Sequence, residues 1–130
     1  MHKTIAVLIS LVLLGACSSD SGSQEPAVSM TAGHVFDPDS LTVSSGTEVT
    51  WTNDDDEPHT VTAYDGEVPE GEYFSSGDLP DEAAARDSVA EGIVDPGETY
   101  SFTFDEPGTY SYFCIPHEDH GMVGEIVVEE

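Results

Sequence analysis

The chain has 130 residues, of which 27 are Asp or Glu and only two are Lys or Arg, for a formal charge of −25. That length holds one domain and excludes a multidomain enzyme, and the charge excludes nucleic acid, whose phosphates such a surface would repel. Self-repulsion on this scale disfavours a compact state in dilute solution. Molar salt shortens the screening length to about 3 Å, so an acid-covered surface with almost no Lys is expected of a protein that works in brine.

In chain order, Met1-His2-Lys3, an apolar run over residues 5–14 and the small residues Gly15-Ala16 before Cys17 have the charged start, short apolar core and cleavage site of a secretory signal. The run is too short to cross a bilayer as a helix. A Cys directly after small residues resembles a lipoprotein signal. It predicts a signal over 1–16, lipidation of the Cys17 thiol at a new N-terminus, a flexible acidic tether over 17–27 and one domain over 28–130. The protein is then expected at the cell membrane, held by lipid on its extracytoplasmic face. With Lys3 removed, Arg86 is the only cationic side chain against 27 acids, a formal −26. Lipid on Cys17 also leaves Cys114 without a disulfide partner in the chain. A bare thiol outside the cell is an oxidation liability unless something occupies it.

Residues 28–35 and 41–43 show partial apolar alternation, separated by the turn chemistry of Asp37-Pro38-Asp39. After Ser44-Ser45-Gly46, Val49, Trp51 and Asn53 alternate with Thr50 and Thr52, as a strand with one buried face requires. Residues 53–57 form a solvated acidic loop without the spaced ligands and glycine of an EF-hand, and 59–63 follow as a strand. Glycines, prolines and acids interrupt 65–92 except at 80–89. Good helix formers there, Pro near the start and a Glu82–Arg86 pair predict one short helix, with that pairing as the role of Arg86. Asp95-Pro96-Gly97 turns the chain into Tyr100, Phe102 and Phe104. Glu106-Pro107-Gly108 turns it again into 109–115, where Tyr110, Tyr112 and Cys114 share one face and Phe113 takes the other. Residues 123–128 make the last strand. Seven or so short strands with almost no helix predict an all-β, antiparallel Greek-key β-sandwich with one short helix in a long connecting loop.

Cys114, His117 and Met122 fall within nine residues between the last two strands. Thiolate and imidazole suit copper, zinc or iron, and a thioether adds a bias toward copper. Three donors on one short loop cannot enclose an ion, so a second imidazole must come from elsewhere. His59, in Glu57-Pro58-His59-Thr60-Val61, is the best candidate. It would complete two His and one Cys with a weak axial Met, the arrangement of copper electron-transfer sites. No nucleophile with a base is visible, so neither an enzyme nor a small-molecule substrate is expected. His120 reads as an exposed loop residue, and His34 carries no predicted role.

Cys-x2-His-x4-Met behind Thr-Tyr-x-Tyr-Phe, the following Gly-Met-Val-Gly and the distant Pro-His resemble the plastocyanin family, most nearly its haloarchaeal halocyanin branch, over residues 35–128. The resemblance implies a cupredoxin-like fold and one type 1 copper ion held by His59, Cys114, His117 and Met122. It implies a blue copper monomer that passes single electrons between redox proteins of a membrane electron-transport chain. His117 would lie nearest the surface, in an apolar electron-exit patch with Ile115 and Pro116, to which Met122 could contribute. Phe113 stands where plant plastocyanins place Tyr, and the long segment 64–94 departs from the pattern. A copper-holding or copper-delivery lipoprotein is the alternative. An immunoglobulin-like surface module would leave the four donors as coincidence.

Overall fold

The computed structural model describes residues 26–130; the signal-type segment, Cys17 and the tether up to residue 25 lie outside the described residues. Alternation sets the strands. In β4 (Thr47–Asn53), Val49, Trp51 and Asn53 are buried while the intervening threonines are not. β4 pairs with β1 (Ala27–Thr31) and β6 (Thr99–Phe104), and β1 also carries β2 (Val35–Asp37), giving a sheet ordered β2-β1-β4-β6. The facing sheet is ordered β3-β8-β7-β5, from β3 (Ser40–Ser44), β8 (Val123–Glu129), β7 (Gly108–Phe113) and β5 (Thr62–Ala63).

The expected sandwich is therefore present, but β1 runs parallel to β4 and β3 parallel to β8. The reason is connectivity. The chain changes sheet after each of β2, β3, β4, β5 and β6, so only β1–β2 and β7–β8 are sequential neighbours that pair as hairpins. The apolar stretch 28–35 is cut by a turn in which Gly33 and His34 both take positive φ, 89° and 60°. The strand expected over 59–63 shrinks to Thr62–Ala63, with His59 joined to Val94 by a single bridge.

Between the sheets Trp51 meets Phe74, Tyr100 and Tyr112 with ring centroids 5.8, 5.6 and 5.4 Å apart. Phe74 comes from the long segment and is buried, so that segment contributes to the core. It is stapled down by Ser76, whose hydroxyl donates to the carbonyl of Gly92 at 2.6 Å and receives the Val61 N–H at 3.0 Å. Gly77 at φ 81° lies so close to the Glu91 carbonyl that an added Cβ would sit 2.3 Å from its oxygen. Instead of one helix the segment holds two, α1 (Glu82–Asp87) and α2 (Val89–Gly92), broken at Ser88. Asp81 caps α1, its carboxylate accepting the Ala84 N–H at 2.8 Å. Asp87 and Ser88, poor helix-interior residues, explain the break.

Candidate metal centre

The nine residues 114–122 connect β7 to β8 at one end of the sandwich. They close on their own backbone: Cys114 N–H donates to the Met122 carbonyl at 3.0 Å, His117 N–H to that of Cys114 at 3.2 Å and Met122 N–H to that of His117 at 3.3 Å. Gly121, at φ 77°, lets the loop turn back. His59 arrives just ahead of β5, on its bridge to Val94.

This brings the predicted donors together. His59 Nδ1 lies 3.1 Å from His117 Nδ1, and Cys114 Sγ lies 3.6 Å and 3.4 Å from these two nitrogens. Such separations are those of three donors sharing one ion at bond lengths of about 2.0–2.3 Å. Met122 is fully buried in the same loop, as are His59 and Cys114, whereas His117 is only half-buried. His117 is thus the donor nearest the surface, beside exposed Pro116 and half-buried Ile115. Met122 adds nothing to that patch, because its side chain is wholly inside.

Two of the donors are held by residues that the sequence did not single out. His59 Nε2 bonds Asp55 Oδ2 at 2.9 Å, which leaves Nδ1 to face the site. The Asp55 carboxylate is almost fully buried, so the 53–57 loop is not simply solvated. The imidazole beside it holds the Asp55 carboxyl below its ordinary range, helped by the Asp56 N–H. Asn53 organises that loop, its amide donating to the carbonyls of Glu57 and Val94 while its oxygen accepts the Asp55 N–H. Thr60 N–H donates to Cys114 Sγ at 3.3 Å, and Thr60 Oγ1 accepts the Ile115 N–H at 2.8 Å. A run of four acids before Pro-His carries no spacing that marks Asp55 out.

Burial pushes the Cys114 thiol up, against the Thr60 N–H. Burial, with His34 and His59 close by, pushes His117 down, so its imidazole is neutral at pH 7. Binding a cation here displaces the thiol proton, while His117 needs no deprotonation.

The outer side of the loop is clamped. Arg86 makes the expected pair with Glu82, Nε to Oε2 at 2.8 Å, but it also forks onto both Glu118 oxygens at 3.0 and 3.1 Å. Its guanidinium lies 4.5 Å from the Phe113 ring centroid. Tyr64 donates to Glu118 at 2.8 Å and stacks on Phe113 at 4.2 Å. Arg86 holds the Glu118 carboxyl below its usual range. Phe113 and Glu118 flank the Cys114–His117 stretch, so one side chain restrains both of its ends.

His34, to which no role was assigned, stacks on His117 with ring centroids 4.1 Å apart, and His120 stacks on His34 at 4.6 Å.

Solved structures of cupredoxins share this architecture. A purple cupredoxin from Nitrosopumilus maritimus matches with a TM-score of 0.57 at 23% identity, over 80% of this chain and 99% of that one. An oxidised methionine-to-leucine variant of amicyanin matches with a TM-score of 0.59 at 30% identity, over 81% of this chain and 82% of that one. Two buried imidazole and thiolate donors, a second imidazole at the surface and a buried thioether make the arrangement of a type 1 copper site. The model for copper-binding proteins of the plastocyanin/azurin family matches residues 25–129, and the chain belongs to that family. Its relatives include the plastocyanin of Scenedesmus fuscus, 40% identical over 73% of this chain and 87% of that protein. That of Solanum crispum is 38% identical over 74% and 89%. The chain is thus a copper-binding electron-transfer cupredoxin.

Proposed function

We propose that this protein is a lipid-anchored electron carrier of the halocyanin type. It works as a monomer on the extracytoplasmic face of the cell membrane and passes single electrons between redox proteins of a membrane transport chain. The observation that carries the reading is the convergence of His59, Cys114 and His117 donors at 3.1–3.6 Å, with His117 alone reaching the surface.

Bound copper supplies a one-electron couple. The chain supplies the rest. Asp55 orients His59, Thr60 holds the Cys114 sulfur by its N–H, and Met122, buried in the same loop, would supply the weak thioether donor. Fixed donors lower the rearrangement needed when the charge at the site changes. Ile115, Pro116 and His117 form the electron-exit patch, where an apolar contact can be brief in concentrated salt. The signal-like start ending at Cys17 supports the anchor, and the acid excess supports work in brine. Donors already within bonding separation favour a carrier, which keeps its ion in both oxidation states, over a delivery protein, which must release it.

The test is the absorption spectrum of the full chain loaded with Cu(II). An intense thiolate-to-copper band in the orange-red is expected, abolished in Cys114→Ser and nearly intact in His120→Ala. A colourless wild-type protein overturns the reading. Separately, Cys17→Ser is expected to move the protein from membranes to the medium; retention on membranes rejects the anchor.

A further inference from the structure

All four histidines among the described residues gather at one end of the molecule, and only two of them belong to the copper site. The other two form an outer layer. His34 Nε2 lies 3.3 Å from Glu57 Oε2, and both groups reach solvent, with side chains 25% and 52% exposed. His34, Glu57 and His117 each offer a donor atom within 4.8 Å of the others. His117 therefore belongs to two donor sets, an inner one with His59 and Cys114 and an outer one with His34 and Glu57. His120, stacked on His34, backs the outer set. His34 is held at φ 60°, a conformation a non-glycine residue rarely keeps without surrounding constraint.

Resting on the copper-carrier reading, we infer that His34, Glu57 and His117 form a capture site at which an incoming Cu(II) ion binds before passing to His59 and Cys114. His59, Cys114 and Met122 are sealed from water, so a hydrated ion must shed part of its water before it reaches them. Imidazole and carboxylate at the mouth replace part of that hydration, and Cu(II) stands highest in affinity among the common divalent metals for such donors. The outer set contains no sulfur, so an ion there lacks the thiolate band. Transfer inward exchanges His34 and Glu57 for His59 and Cys114, His117 being a member of both sets. The thiol proton leaves to solvent, and no electron moves.

The test mixes Cu(II) rapidly with the metal-stripped full chain in concentrated salt, following the blue band by stopped flow and the copper by freeze-quench electron paramagnetic resonance. A nitrogen- and oxygen-ligated Cu(II) signal is expected first, decaying as the blue band rises. The pair His34→Asn with Glu57→Gln keeps a residue that tolerates positive φ at 34. It is expected to abolish the early signal and slow blue formation roughly tenfold or more, the loss typical when groups supporting a metal site are removed, with final blue intensity unchanged. Equal uptake rates in wild type and variant, with no early signal, overturn the capture site alone. A wild-type chain that never turns blue overturns the carrier reading and this one with it.

Discussion

Asp55 shows what one side chain decides. Its carboxylate takes the outer nitrogen of His59 at 2.9 Å and so selects the inner nitrogen for metal. Asp55→Ala is expected to weaken copper affinity by roughly 10–100-fold, measured by chelator competition; unchanged affinity would show that the loop alone orients the ring. Cys114 sets the proton balance. Its thiol is raised above the ordinary 9.0 by burial and His117 is lowered below 6.5. At pH 8 the thiol is protonated and His117 is not, so copper uptake is expected to release about one proton. Calorimetry in buffers of different ionisation enthalpy checks this; a value near zero would mean a thiolate already present. The four donors were legible because chemistry demands those residue types at tight spacing. Asp55, Thr60 and Asn53 were not, since Asp, Thr and Asn are ordinary loop and strand residues until a fold aims them.

The element that departs most from expectation is the long segment carrying α1 and α2. Its helix formers were readable, but what the helix touches was not, because Arg86 to Glu118 is a contact across 32 residues. Arg86→Met removes two ion pairs and the contact with Phe113. With a side chain more than a third exposed, it is expected to cost about 1–2 kcal/mol in thermal or denaturant unfolding. The pH dependence has a definite sign. Glu118 is depressed below its ordinary 4.5 in the folded protein. Its contribution is therefore full above that value and lost as pH falls through the depressed one. The gap between wild type and Arg86→Met should be widest at neutral pH and narrow in acid to the part due to the Phe113 contact; a gap of unchanged size in acid would mean the cation acts through packing alone. Sheet membership was equally hidden, since the parallel β1–β4 and β3–β8 neighbours join strands distant in sequence. The alternation that formed those strands was plain.

At the scale of the whole molecule, 27 acids repel across a screening length of about 30 Å at 0.01 M salt and only about 3 Å at 1 M. Dialysis to dilute buffer is expected to unfold the domain, seen as loss of the near-ultraviolet signal of the buried Trp51 and tyrosines. Full retention of that signal would reject the brine reading. Charge was legible in the composition alone, and so was its sign asymmetry; that Arg86, the one Lys or Arg among the described residues, would end up bound to the ligand loop was not. Trypsin cuts only after Lys or Arg, so the 105-residue body it meets here has one cleavable bond, after Arg86. The guanidinium that the protease must seize is the one gripping Glu82 and Glu118. Digestion at that bond would therefore time the moments when the outer wall of the copper site lets go, and it would yield only two fragments to count.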